Sequence, residues 1–405
     1  TRAALGREVE VLYSIKANSS LGVCRLIAGT GLAGAEIAST GELVLALAAG
    51  FAPEDIVFAG PGKTDAELER AVLSAVYAVN VESVGEIDRL AGIARSRNRT
   101  IGVGLRVNPD AQLMGSQMRM GGTASQFGLD QADLGEAIAR VRAHPALRLR
   151  GIHVYTATQV FDTEALLEHC RHVLEIGLDA ADRVGEPIEM IDLGGGFGVP
   201  YFDGMAEFDV EGFGRDFQQL LQSYRSDPRL LGCRVLFELG RYLVAEAGIY
   251  VMRVIDVKRS RGKIFVVTDG GMHHHSAATG NFGSVFRKAY PILNLSREVG
   301  ANDETVAVVG PCCTPLDSFG SSLQLARPMV GDLISVLCSG AYGYSASKLA
   351  FLSHPTPAEV LLWDGEAHVL RRAGQPEDVL RGQEVPPPHS PRPRSCARTE
   401  REWSP

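Results

Sequence analysis

Short apolar, β-branched runs recur along the first 245 residues, and each is followed by a polar-faced amphipathic stretch. Eight runs stand out: Glu10–Lys16, Ala35–Ala38, Ile56–Ala59, Val76–Val81, Ile101–Val107, Leu149–Tyr155, Ile188–Leu193 and Arg234–Glu238. Thr64-Asp-Ala-Glu67 and Ser83-Val-Gly-Glu86 read as capping boxes that open helices. Glu42–Ala49 is rich in Leu and Ala, good helix formers, and Gly50 behind it is placed to end that helix. Alternation of this kind predicts an α/β fold with a parallel sheet. Eight units suit a closed (β/α)8 barrel better than an open doubly wound sheet.

Polar residues repeatedly choose the ends of the runs: Lys16, Glu36, Arg106, His153 with Tyr155, Gly194–Gly196, and Glu238 with Arg241. Barrel enzymes do their chemistry at that end of the strands. After about Ala245 the helices fade. Val251–Val257, Lys263–Thr268, Thr305–Val309, Leu333–Cys338 and Glu359–Trp363 predict a second, mainly β domain. The expected organisation is a barrel over 1–245, a β domain over 246–375 and a disordered Pro- and Arg-rich tail over 376–405.

Composition narrows the function classes. The chain has 405 residues, ample for two domains, and 45% are hydrophobic. A formal net charge of −8 without a long basic run argues against nucleic acid as a partner. No apolar stretch reaches the roughly 18 residues of a membrane helix, and Thr1–Glu10 lacks the shape of a signal peptide. Seven cysteines, an odd number with no CxxC pair, point to a reduced, cytoplasmic protein.

Several residues could carry chemistry. Lys16 ends an apolar strand, where a desolvated amine is a natural nucleophile, although such a lysine can also reach out to solvent. Leu193-Gly-Gly-Gly-Phe-Gly198 could wrap backbone N–H groups around a phosphate or could simply be a tight turn; its spacing is not a dinucleotide fingerprint. Glu238 could hold a heterocyclic nitrogen protonated, or pair with a cation at a barrel rim. Cys313 and Asp317 follow a strand of the β domain, where a cysteine is more often a small hydrophobe. His273-His-His275 suggests a metal, but neighbours on a strand face opposite ways and no distant carboxylate partner is evident, so no metal is expected.

Taken in order, YSIKAN (13–18), GAEIAS (34–39), LRVNP (105–109), GIHVYTATQ (151–159), DLGGGFG (192–198), ELGRYLVAEAG (238–248), GPCCTPLD (310–317) and GAYGYS (340–345) resemble the ornithine and diaminopimelate decarboxylase family. These are pyridoxal-phosphate (PLP) enzymes of the alanine-racemase-like fold. The resemblance covers roughly residues 10–365. It implies that Lys16 is the Schiff-base lysine, that Gly194, Gly195, Gly196, Gly240 and Arg241 cradle the phosphate, and that Glu238 pairs with the pyridinium nitrogen. Glu36 and Arg106 would lie beneath the ring and in its supporting network, and Thr158 would contact the cofactor. Cys313 would be the acid that protonates the product, lent by the partner subunit, and Tyr342 would touch the phosphate from that same partner. Thr314 and Asp317 would contact substrate. An obligate homodimer with shared active sites follows from the same resemblance. A Glu at the ring nitrogen favours decarboxylation over racemisation, because the related racemases place an Arg there.

Three departures from the family pattern matter. The histidine that normally stacks on the cofactor ring is Tyr155. The acidic residue that normally follows the catalytic cysteine, and recognises a distal ammonium, is Thr314. The strand that opens the family's β domain, with its helix, normally precedes YSIKAN and is mostly absent. The text of residues 270–283 and 351–361 is closer to a branch serving biosynthetic clusters, which includes exosortase-associated enzymes and a decarboxylase of carrier-protein-linked glutamate. The expected function is therefore decarboxylation of an amino acid or amino-acyl, carrier-bound substrate. The alternatives are diaminopimelate decarboxylase itself and a non-catalytic PLP-binding regulator. The regulator would be expected to have lost Lys16 or Cys313, and both are present.

Overall fold

The computed structural model describes residues 1–31, 33–110, 118–119 (backbone), 124–202, 204–281, 289–298, 300 and 302–386. Eight parallel strands form the first layer: β1 (Val9–Ser14), β2 (Ala33–Ile37), β3 (Ile56–Phe58), β4 (Ala78–Val81), β5 (Ile101–Asn108), β6 (Leu147–His153), β7 (Met190–Gly195) and β8 (Arg234–Leu239). They run in the order β4-β3-β2-β1-β8-β7-β6-β5, and a further β4–β5 pairing closes the ring. Strands covered on both faces should read as unbroken apolar runs, and all eight residues of β5 are buried.

The helix signals held with one change. Thr64 and Glu67 form the reciprocal capping box, and Gly50 ends the helix Thr40–Ala49 at φ +99°, a backbone region that suits glycine. Ser83 accepts from the Glu86 N–H, but the Glu86 carboxylate does not reach back to Ser83. It accepts instead from the Glu82 N–H at 2.9 Å and pairs with the buried Lys63 at 2.8 Å. A buried ammonium out-competes a cap for that carboxylate, because leaving it unpaired would cost more than the cap contributes.

The second unit is a six-stranded sheet of β9 (Tyr250–Ser260), β10 (Lys263–Thr268), β11 (Ile292–Asn294), β12 (Asp303–Val309), β13 (Ser318–Ala326) and β14 (Leu333–Val336). Its order is β11-β14-β9-β10-β12-β13, with β10 and β12 parallel and the other pairs antiparallel. A separate hairpin joins β15 (Glu359–Trp363) to β16 (Glu366–Arg371). The tail expectation needs correcting: Pro376–Leu380 is a short 3-10 turn, capped by Gln375 and Asp378. The remainder of that expected tail, residues 387–405, lies outside the described residues.

Residues 339–345 tie the two units together beside the barrel mouth. Gly340 N–H donates to Ala245 O at 2.9 Å, and Tyr342 N–H donates to Ala17 O at 2.7 Å. Asn18 Nδ2 donates to Gly340 O at 2.9 Å, and Ser345 Oγ donates to Ala17 O at 3.1 Å. Gly340 packs so closely on the backbone of Val244 that any Cβ there would overlap it. This stitching fixes the turn that carries Lys16.

Candidate active site

Lys16 lies in the 3-10 turn Ile15–Ala17 that follows β1 directly. Its Nζ is 2.9 Å from Oε2 of Glu36, a 2% exposed carboxylate near the end of β2. The lysine side chain itself keeps 39% exposure, so the pair sits at an open mouth and not in a sealed core. Desolvation works against the ammonium, but Glu36 and Glu238 outweigh it and hold the group above the ordinary lysine range. The ammonium also lies 5.6 Å from the centre of the Tyr155 ring.

A narrow cleft of about 20 Å³ opens beside Lys16, lined also by Tyr155, Thr158, Gly196, Glu238, Gly240, Arg241 and Tyr342. Among the three consecutive glycines, only Gly196 lines it. Gly194 and Gly196 take φ of +66° and +93°, where glycine is unstrained. A Cβ on Gly195 would overlap the carbonyl oxygen of Glu238, so that glycine lets β7 and β8 approach. At the other end of the cleft, Arg241 donates from Nη1 to Tyr201 Oη at 3.0 Å, and its guanidinium lies 4.5 Å from the centre of the Tyr342 ring. Arg241 Nε is buried with no partner.

Deeper in the barrel, Glu238 is 4% exposed, and its Oε1 is 3.4 Å from Nε2 of His153. Burial raises a carboxyl, but His153, Lys16 and Arg106 outweigh that and hold Glu238 well below the usual range. Arg106 is oriented from behind: its Nη1 donates to Glu82 at 2.8 Å, and its guanidinium lies 4.8 Å from the Phe127 ring centre. Neither Glu36 nor Arg106 lines the cleft; Glu36 pairs with Lys16, and Arg106 pairs with Glu82.

Three expectations change. Tyr342 reaches the cleft of its own chain and not a partner's, because residues 339–345 are stitched to this chain's Lys16 turn. Asp317 does not face substrate. It is 3% exposed, and its two carboxylate oxygens accept from Met272 N–H at 2.6 Å and Cys312 N–H at 2.8 Å. The histidine run is not on a strand: residues 272–274 form a turn, and Asp317 is a carboxylate neighbour of His273 and Cys312. Cys312 is buried with Sγ 3.3 Å from His273 Nδ1, and burial together with Asp317 pushes its thiol up to about 12. Cys313, one residue on, is exposed and does not line this chain's own cleft. Thr314 folds its hydroxyl into the same turn, accepting from Leu316 N–H at 3.3 Å.

Sequence reasoning named no role for Asp192 or Tyr201. Asp192 was visible inside DLGGGFG, whereas Tyr201 carries no motif and is found only through its contact with Arg241.

The residues present suit pyridoxal phosphate. A lysine ammonium sits at a strand end, a buried carboxylate lies below it with an unbonded oxygen, and a buried guanidinium N–H without a partner lies beside glycine-bounded space. Comparisons agree. Residues 1–245 match the family model described as the pyridoxal-dependent decarboxylase, pyridoxal binding domain. The chain is 39% identical over 385 residues to an L-glutamyl-[BtrI acyl-carrier protein] decarboxylase of Niallia circulans, covering 94% of this chain and 89% of that protein. It is 31% identical over 378 residues to a diaminopimelate decarboxylase of Zymomonas mobilis, covering 92% and 85%. A solved diaminopimelate decarboxylase from Helicobacter pylori complexed with L-lysine superposes with a TM-score of 0.82 at 28% identity, covering 93% and 90%. The M. jannaschii enzyme in complex with L-lysine gives a TM-score of 0.85 at 26% identity, covering 93% and 85%.

Proposed function

We propose, for a chain that belongs to the pyridoxal-dependent decarboxylase family, that the substrate is an amino acid whose distal end is uncharged or tethered, with the glutamyl group of a carrier protein as the favoured case. That the chain is a PLP-dependent amino acid decarboxylase is given by its membership and its relatives. The observation that carries the substrate reading is the segment after Cys313. Thr314 is neutral and turned into its own loop, and the Asp317 carboxylate is taken by backbone amides. This segment therefore offers no free carboxylate to a distal ammonium. The relative named for carrier-linked glutamate is 39% identical, and the diaminopimelate decarboxylase of Z. mobilis is 31% identical.

Bound pyridoxal phosphate supplies the sink for the electron pair left when CO₂ departs. In this reading Lys16 would be the residue that holds the cofactor covalently. Arg241, with Thr158 and the Gly196 turn, holds the phosphate end. Glu238 would hold a proton at the ring nitrogen, and Tyr155 would offer its apolar face to the ring. Glu36 steadies the Lys16 ammonium once it is released. Cys313, exposed on this chain, delivers a proton to the cleft of a second copy, so the working unit is a homodimer in a reducing, cytoplasmic setting.

The test compares kcat/KM for carrier-linked glutamate, free glutamate, diaminopimelate and ornithine. Carrier-linked glutamate is expected to be fastest, and Thr314→Glu should move the preference toward the diamines. Pairing a desolvated ammonium is worth about 2–5 kcal/mol, so a gain of roughly tenfold or more is expected. Efficient turnover of diaminopimelate by the unmodified enzyme overturns the substrate reading.

A further inference from the structure

Three buried titratable groups project into the barrel from adjacent strands: His153 of β6, Asp192 of β7 and Glu238 of β8. Asp192 stands opposite His153 in the β6–β7 ladder. One side-chain ligand atom from each lies within 4.8 Å of the others. The exposures are 1%, 0% and 4%. Hydrogen bonding among them is incomplete as the heavy atoms stand. Both ring nitrogens of His153, Oδ2 of Asp192 and Oε1 of Glu238 are buried without a hydrogen-bond partner.

We propose that His153, Asp192 and Glu238 form one proton-sharing unit in which Asp192 keeps a proton on Oδ2 toward Glu238, so that Glu238 alone bears the negative charge presented to the cofactor ring. The inference rests on the cofactor-site reading above and names a positioning residue for it, Asp192.

The argument starts from crowding. Two carboxylates in a dry pocket at this separation do not both ionise, so one retains a proton. The surroundings decide which. Glu238 faces the cations Lys16 and Arg106 and has His153 Nε2 at 3.4 Å. Asp192 receives one N–H, from Gly194 to Oδ1 at 3.0 Å, and the charged groups that face it are the acids Glu238 and Glu36. Burial and then Glu238 push the Asp192 carboxyl well above its usual range, which agrees with the placement. A proton on Oδ2 turns an unbonded acceptor into a donor and gives a buried oxygen of Glu238 the partner it lacks. Without it, a second buried anion would face Glu238, and the pair would pull a proton onto Glu238 and weaken its hold on the ring nitrogen.

The test uses full-length enzyme, first freed of cofactor. Infrared difference spectra of wild type against Asp192→Asn should show the carbonyl stretch of a protonated carboxylic acid in wild type and its loss in the variant. Asn keeps an oxygen for Gly194 and an N–H for Glu238. Asp192→Asn should therefore bind PLP within about tenfold of wild type, whereas Asp192→Ala, with folding checked by circular dichroism, should lose more than that. Absence of the protonated-acid band in wild type overturns the proposal, as does a folded Asp192→Asn protein that binds PLP more than about tenfold weaker. A stoichiometric divalent metal in the purified protein also overturns it, since these groups would then be ligands. The infrared outcome does not depend on which substrate is turned over, so its failure is separable from failure of the functional reading.

Discussion

Lys16 Nζ and Glu36 Oε2 are 2.9 Å apart at the mouth of the barrel, and the carboxylate is the buried member of the pair. Glu36 therefore sets how readily the lysine gives up its proton. In Glu36→Gln the amine loses its nearest counter-charge, and its affinity for protons falls by about one to three pH units. The rate at which cofactor-free enzyme captures PLP, followed against pH, should reach half-maximum at a correspondingly lower pH. An unchanged midpoint would show that Glu238 alone governs Lys16.

Lys16→Ala should remove the covalent link altogether. Borohydride treatment of wild type loaded with PLP leaves a stable adduct on the peptide containing Lys16, read by mass spectrometry. An adduct of equal yield in Lys16→Ala would move the attachment point to another lysine.

Cys313→Ala should slow turnover while leaving PLP affinity close to wild type, because Cys313 is absent from the lining of its own chain's cleft. Mixing Lys16→Ala with Cys313→Ala subunits should restore part of the activity, since a hybrid dimer holds one complete site. Absence of rescue after demonstrated subunit exchange would show that the sites are not shared.

Gly195→Ala should separate β7 from β8, since the added methyl would overlap the Glu238 carbonyl oxygen. Overpacking of this kind costs about 1–3 kcal/mol, and here it also displaces the Glu238 backbone. The expected result is a lower Tm together with weaker PLP binding. A lower Tm with unaltered binding would separate the glycine's packing role from the site.

Stability should fall on mild acidification through His275. This side chain is buried, and its Nδ1 accepts from the Ala278 N–H at 3.3 Å. Burial lowers its pKa from 6.5 to about 4. The unfolded chain then binds a proton below about pH 6.5 that the folded chain refuses until about pH 4. The neutral-pH stability is therefore complete above 6.5 and is lost progressively down to 4, by roughly 3–4 kcal/mol. Urea midpoints measured across this window should decline for wild type and decline less for His275→Gln. Equal slopes would assign the acid sensitivity to other groups, the buried His169 among them.

Much of the fold was legible because barrel strands covered on both faces must be apolar and β-branched, and each of the eight runs coincides with a strand. What escaped lies where that constraint relaxes. Ser318–Ala326 is a nine-residue strand of Ser, Gly and Gln alternating with few apolar residues, and it forms the edge of the second sheet. Propensity alone marks such a strand weakly. At the site, Lys16, Glu36, Gly196, Glu238 and Arg241 were readable because strand ends gather chemistry. Asp317 was misread because a motif position does not say which backbone amides will claim a carboxylate. The side of Tyr342 was misread for a related reason, since only the stitching of residues 339–345 to Ala17 and Asn18 assigns it to its own chain.

That stitching bears on how the protein can be divided and recombined. The loop holding the nucleophile in place is borrowed from sequence more than 300 residues downstream, through Asn18 to Gly340 and Ser345 to Ala17. The barrel is consequently not a portable module. A gene fragment ending after β8 would encode every residue of the strand-end cluster and still leave the Lys16 turn without its clamp. Exchanging the second domain between homologues would succeed only where this seam is transplanted with it.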